Sequence, residues 1–181
     1  MKFCGQCGGP TVAKIPSGDN RERDCCEACG AIFYRNPKIV AGTVPVYQDS
    51  QILLCKRAIE PRYGLWTLPA GFLEEGETLQ EGALRETVEE SRVGVDIEKL
   101  YTVFNLPHIS QVYMFFLGRL EDLNFGPTEE TLEVRLLAED EIPWDELAFP
   151  VIKRTLKHFF ADLHAGENRF PMRIEDITYP R

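Results

Sequence analysis

Residues 68–93 read LPAGFLEEGETLQEGALRETVEESRV, and the rest of the chain is interpreted outward from them. Pro69-Ala70-Gly71 reads as a turn, followed by an acidic loop and then a helix. Thr78 stands where a helix N-cap is needed, and Glu81 follows three residues later, which is the capping-box arrangement. No proline interrupts Thr78 to Ser91, and only Gly82 is a weak helix former there. Leu79, Ala83, Leu84, Thr87, Val88 and Ser91 give one mostly apolar or small face. Glu86, Glu89 and Glu90 stand at i, i+3 and i+4 and are expected to share the opposite face. Three clustered carboxylates repel one another unless neutralised, and hard divalent cations such as Mg2+ or Mn2+ take oxygen ligands. Glu77 precedes the first turn and is placed to join that cluster or to hold its loop, while Arg85 can orient a carboxylate or neutralise phosphate. A solvated acidic face is the competing reading of the helix alone.

The spacing over the whole stretch weighs against that bland reading. Gly71, five residues, Glu77, seven residues, then Arg85-Glu86-Thr87-Val88-Glu89-Glu90 resembles the Nudix box, with six fixed positions matched in order over 20 residues. Two positions depart from the family pattern. Thr87 stands where an aliphatic residue is usual, though it still offers a methyl group. Arg92 stands where glycine is usual, and Gly94 is expected to take over the tight turn after the helix. The resemblance implies an α/β/α sandwich and metal-dependent cleavage of a pyrophosphate. It also implies Glu86 and Glu90 as metal ligands, with Glu89 close behind, the Gly71 carbonyl completing the shell, and Arg85 holding the acidic cluster.

Composition agrees with a globular core. The chain has 181 residues, 44% of them hydrophobic, and a formal charge of -9 from 29 acidic and 20 basic residues. That balance argues against a general nucleic-acid or anionic-membrane surface. It does not exclude anionic small substrates, because a bound cation reverses the local field. No apolar run is long enough to span a bilayer, and MKFCGQCGG lacks the apolar core of a secretory signal. A cytoplasmic protein without a membrane partner is therefore expected.

The first 30 residues carry a second motif. Cys4-Gly5-Gln6-Cys7 and Cys26-Glu27-Ala28-Cys29 are two CxxC knuckles separated by 18 residues, each followed by glycine. Two such pairs complete a tetrahedral four-sulfur site, as in a zinc ribbon. A redox pair or exported disulfides are the alternatives, and doubled knuckles disfavour both. Four thiolates leave no open position, so this Zn2+ would be structural and would supply folding energy that so short a segment lacks. Cys25 is an extra thiol, and Cys55 reads as a buried residue of a strand.

The remaining elements follow from pattern. Between the knuckles, Pro16-Ser17-Gly18-Asp19-Asn20 reads as a turn between two short strands, and Asn36-Pro37-Lys38 as a linker. Strands are expected over 39–47, 51–57, 66–68, 96–106, 110–120 and 132–138, with Pro45 demoting part of the first to an edge or bulge. A closing helix spans Pro150 to Ala165. The expected fold is α/β: a mixed sheet with a helix on each side, preceded by a small zinc ribbon. The expected divisions are 1–34 for the ribbon, 38–165 for the hydrolase domain and 166–181 for a C-terminal extension.

Pyrophosphate hydrolysis needs neutralised phosphates, an activated water and a stabilised leaving group. The chain has no Walker loop. His108, His158 and His164 form no recognisable site, with only His108 placed in a turn that could overhang a pocket. In the resembled family a base can come from the box itself or from a glutamate beyond the sheet. Here Glu129, Glu130 and Glu133 supply candidates, Glu133 being chosen over its reading as a solvated edge acid. Trp66, Phe72, Phe104 and Tyr113 are candidate rings for a substrate, and Arg57 and Arg62 candidate phosphate contacts; core packing and ordinary surface charge are the competing readings. The catalytic set is thus Arg85, Glu86, Glu89 and Glu133, and the substrate set Arg57, Trp66, Phe72 and Tyr113. A zinc ribbon joined to this box resembles NADH pyrophosphatases, but their downstream SQPWPFP signature is replaced here by PHISQVY at 107–113. FCGQCGGP, NPK, LLCKR, GLWTLPAGFLEEGE and LEVRLLAEDEIPWDELAF more closely resemble ribbon-bearing FAD pyrophosphatases. That resemblance implies FAD, cleaved to FMN and AMP, or another ADP-containing dinucleotide. ADP-ribose, nucleoside triphosphates or non-catalytic nucleotide binding are the alternatives. A homodimer is common in the family, and no nucleic-acid partner is expected.

Overall fold

The computed structural model describes residues 1–166 and 170–178. The chain divides into two compact units, Met1–Pro37 and Lys38–Arg181. In the first, β1 (Thr11–Lys14), β2 (Arg23–Cys26) and β3 (Ile32–Phe33) form an antiparallel sheet in that order. The loop before β2 is organised by Asp19, whose carboxylate accepts from the Asn20 backbone and from Arg23.

The second unit is built on β4 (Lys38–Tyr47), β5 (Gln51–Arg57), β6 (Trp66–Thr67), β7 (Ala70–Phe72), β8 (Val95–Leu106), β9 (Gln111–Leu120), β10 (Thr131–Leu137) and β11 (Arg173–Asp176). The main path of this eight-stranded mixed sheet is β10-β5-β4-β9-β8-β11, with β6 on β5 and β7 on β4. The β4–β9 and β11–β8 pairs are parallel and the others antiparallel. Helices α1 (Leu79–Ser91) and α2 (Pro150–His164) cover opposite faces. Strand alternation demonstrates this. Ile52 and Leu54 of β5 pack in the cluster containing Val151, Ile152, Leu156, Phe159 and Phe160 of α2. Their neighbours Leu53 and Cys55 turn to the other face and pack with Val93, just after α1. On β9, Phe115 and Leu117 face α2, whereas Phe116 meets Ala83 of α1.

Four local expectations are revised. Pro45 lies neither at an edge nor in a bulge of the ladder: β4 runs through the middle of the sheet, and Pro45 is aligned with Gly118 of β9. It is tolerated because it falls between the β4 residues that pair with β7 (Val40–Gly42) and those that pair with β5 (Val46–Tyr47), where the missing N–H breaks no antiparallel pairing. Ala70-Gly71-Phe72 is a strand rather than a turn. Its close approach to β4 requires Gly42, where a Cβ would lie 2.4 Å from that of Ala70. Arg173–Asp176, within the segment expected to extend past the domain, joins the main sheet beside β8. Finally, Arg92 itself takes the left-handed conformation that ends α1, at φ 66° and ψ 4°, and its N–H reaches the Val88 carbonyl at 2.8 Å. Gly94 does not take over that turn. Its lack of a side chain serves a different contact, since a Cβ there would lie 2.6 Å from a Glu121 carboxylate oxygen.

Candidate active site

The start of α1 is capped as its sequence dictates. Thr78 accepts from the Glu81 N–H at 3.3 Å, and the Glu81 carboxylate accepts from the Thr78 N–H at 2.8 Å. One turn on, Arg85 gathers the acidic loop and the helix. Its Nε donates to Glu77 at 2.6 Å, one terminal nitrogen to Glu86 at 2.7 Å and Glu89 at 2.9 Å, and the other to the Phe72 carbonyl at 3.1 Å. These bonds hold the guanidinium fully protonated, with Glu77 as the strongest influence. Glu77 also accepts from the Glu74 N–H, so it ties the loop to the helix. Contact with Arg85 keeps its carboxyl below the usual range. Arg85 therefore positions carboxylates rather than waiting for a phosphate.

The three box glutamates do not share one solvated face. Glu89 is 58% exposed and Glu86 13%, while Glu90 is 6% exposed and belongs to the buried side of α1 with Gly82, Ala83, Thr87 and Ser91. Val88, expected in the apolar face, points outward instead. Spacings of three and four residues spread side chains over an arc of the helix, and the sheet covers one side of that arc. Burial lifts the Glu90 carboxyl to about 8, with Glu86 adding to the rise and Arg57 and the Ala70 N–H opposing it. Burial likewise raises Glu86 despite Arg85. Gly71 completes this corner. A Cβ there would lie 2.2 Å from the Glu86 carboxyl carbon, so the strand accommodates that carboxylate only because residue 71 lacks a side chain. Two partly or wholly buried carboxylates beside a backbone strand are a hard-oxygen donor set and fit a divalent cation. When bound, such an ion would neutralise phosphate charge and favour ionisation of water.

Beside this corner is a cavity of about 420 Å³, lined in part by Gly71, Phe72, Arg57, Tyr113, His108 and Phe149. Arg57 is held by the Pro61 carbonyl at 2.9 Å and lies 5.4 Å from the centre of the Phe149 ring. Of the substrate candidates, Arg57, Phe72 and Tyr113 reach this cavity. Trp66 does not: it is 4% exposed, packed in the α2-side core, and flanked by Lys56 and Arg135. Phe104 is fully buried, and Arg62 does not line the cavity.

Glu133 is likewise directed elsewhere. It pairs with Arg135 at 2.6 Å and lines a separate hollow with Lys56 and Trp66. Of the loop acids, Glu130 is the one whose charge adds to the raised carboxyls of Glu86 and Glu90, behind the larger effect of burial. Its backbone is anchored where its carbonyl accepts from Ala58 at 2.8 Å. The irregular register between Thr131 and Glu133 was not legible in the sequence: Thr131 aligns with Arg57 and Glu133 with the next residue, Lys56, so the two no longer share a face as regular alternation would have it.

The cysteine site assembles as its spacing implies. Cys4 and Cys29 bring sulfurs within 3.7 Å, Cys7 and Cys26 within 3.5 Å, and all four ligand atoms lie within 4.8 Å of one another. Among the described residues no other His, Cys, Asp or Glu group meets that criterion. Each knuckle closes with an N–H to sulfur contact and a left-handed glycine, Gly8 at φ 72° and Gly30 at φ 74°. Cys25 points away, toward the Lys14 and Arg23 carbonyls. The donor set fits zinc.

A family model described as NUDIX domain matches residues 36–159, and one described as Nudix N-terminal, a zinc ribbon, matches residues 2–35. The chain belongs to the Nudix hydrolase family. Its fold is similar to that of a NUDIX hydrolase from Nitrosomonas europaea, with a TM-score of 0.93, 50% identity, and coverage of 99% of this chain and 100% of that one. It is also similar to an NAD-capped RNA hydrolase of Schizosaccharomyces pombe, 38% identical over 72% of this chain and 41% of the relative. A third similar protein, NAD-capped RNA hydrolase NudC of Chromobacterium violaceum, is 29% identical over 87% of this chain and 57% of the relative. The chain thus spans about half the length of these named relatives. Their names point to NAD-linked chemistry, where the sequence resemblance pointed to FAD. No helix among the described residues is long and apolar enough to cross a membrane.

Proposed function

We propose that this Nudix hydrolase cleaves the pyrophosphate of an ADP-containing dinucleotide, with an NAD-type substrate first and FAD or ADP-ribose next. The observation carrying the proposal is the junction of the Gly71–Glu86–Glu90 corner with a cavity that offers both rings and a cation. Glu86, Glu90 and the Gly71 carbonyl would hold a divalent cation, with Glu89 as a further, more exposed ligand. Arg85 and Glu77 keep these groups in place. Arg57 faces Glu90 electrostatically and lines the cavity, where it suits a phosphate. Phe72 and Tyr113 suit a base or other planar group. We assign Glu130, whose charge bears on Glu86 and Glu90, as the group that takes a proton from water, in place of Glu133. Water adds to one phosphorus, the P–O–P bond to the other phosphate breaks, and two monophosphates leave. The names of the relatives support the NAD-type preference.

The test is release of AMP or other monophosphates from NAD, NADH, FAD, ADP-ribose and nucleoside triphosphates, each with Mg2+ or Mn2+, together with an NAD-capped oligoribonucleotide. Preferential cleavage of dinucleotides is expected. Turnover confined to nucleoside triphosphates would reject the dinucleotide reading. Absence of turnover throughout, with the protein folded, would reject hydrolysis of this class.

A further inference from the structure

The strand β11 is attached by its alternate side chains. Arg173 and Glu175 face α2. Arg173 donates to Asp162 at 2.7 Å, and Glu175 accepts from Arg154 at 3.0 Å and pairs with His158 at 2.5 Å. Arg154, His158 and Asp162 recur every four residues, so they form one stripe along the helix. The strand period then places residue 177 on the side occupied by 173 and 175. Ile177 is 4% exposed, packs in the cluster containing Val151 and Ile152, and lines the cavity beside the candidate active site. Its N–H is fixed to the Asn105 carbonyl at 2.9 Å, one step beyond the Asp176–Asn105 register. Ile174, on the opposite side of the same strand, is 63% exposed.

We propose that Ile177, held in place by the strand Arg173–Asp176 that precedes it, is the part of the cavity wall that sets how large a group the active site admits. Ile177 is a specificity-determining residue, and the Arg173–Asp162 pair is the clamp that positions it. This inference rests on the proposed substrate class, but it concerns selection by size rather than the hydrolysis. An aliphatic side chain at a cavity wall discriminates by steric fit, typically by about 10- to 200-fold per methylene-sized change.

The experiment compares the wild type with Ile177→Ala, Ile177→Val and Ile177→Met, and with Ile174→Ala as a control on the same strand. Binding of ADP-ribose, NAD and FAD is measured by calorimetry without divalent metal, and kcat/KM is measured with it. Circular dichroism and thermal melting establish which variants are folded. The expected result is a shift of well over about 10-fold in the FAD to ADP-ribose affinity ratio for Ile177→Ala toward the bulkier ligand. Ile177→Met should shift it the opposite way, Ile177→Val should give a smaller change, and Ile174→Ala none. An unchanged ratio in the folded Val and Met variants, or an equal shift in Ile174→Ala, would overturn the wall. Binding with altered selection but without hydrolysis would support the wall and overturn only the proposed reaction. Failure of the wild type both to bind and, with divalent metal, to hydrolyse any of the three ligands would overturn both.

Discussion

At the scale of single residues, the site depends on where carboxylates are buried. Glu90 is buried against the sheet, where its carboxylate accepts from the Ala70 N–H, with Glu86 beside it, and Gly71 leaves just enough room for the Glu86 carboxylate. Glu90→Gln should reduce metal-supported turnover by about 100-fold or more, as expected when a charge-stabilising group is lost. Its circular dichroism should be unchanged, and in chelator the variant should melt no lower than the wild type, since a neutral amide replaces an acid whose ionised form is disfavoured by burial. Full activity in Glu90→Gln would remove this residue from the site. Thr87 makes a second residue-level case. The departure from an aliphatic residue is compensated by a buried hydroxyl pair: Thr87 and Thr43 lie 2.7 Å apart, and Thr87 also donates to the Ala83 carbonyl. Thr87→Val should cost about 1–2 kcal/mol by stranding the Thr43 hydroxyl, and Thr43→Val/Thr87→Val should recover most of that loss. Additive costs in denaturant titrations would contradict the pairing.

At the scale of elements, the docking of β11 on α2 is electrostatic as well as apolar. Burial raises the Asp162 carboxyl, but Arg173 and the Tyr101 hydroxyl outweigh it and hold the group below its ordinary value. Glu175 is also lowered on balance, with burial opposed by Arg154 and His158. A carboxyl depressed by folding contributes stability above its unfolded pKa, about 4, and loses it as pH falls through the lower folded value. Asp162→Asn should therefore melt lower than the wild type at pH 7, by about 1–2 kcal/mol. The gap should close as the pH is lowered below about 4. A gap independent of pH would assign the effect to packing.

At the scale of the molecule, each compact unit has its own source of stability. The larger has clusters on both faces of its sheet. The smaller offers few buried side chains beyond its cysteines, so metal binding and folding are coupled there. Elemental analysis should find about one zinc per chain. Its removal should expose the segment 1–37 to protease while the larger unit retains a cooperative melt. Protease resistance of that segment, with the metal stripped and thiols reduced, would show that zinc is dispensable.

The sequence by itself determined those features whose partners are near along the chain. The capping box, the two cysteine knuckles and the Arg85–Glu86–Glu89 spacing are set by helix and turn geometry within a few residues. The family resemblance followed from the same local spacing. Most strands were visible because alternation is local too. Tertiary structure decided which carboxylate is buried, because the sheet covers Glu90 and leaves Glu89 in solvent. It also decided that Trp66 belongs to the core and that Glu133 turns to Arg135. Pairing across distant strands sets those outcomes, and a single irregularity in register redirects a side chain. Strand β11 is the clearest instance. Its four residues carry little pattern of their own, and they become a strand through pairing with β8 and through the stripe of Arg154, His158 and Asp162 across α2.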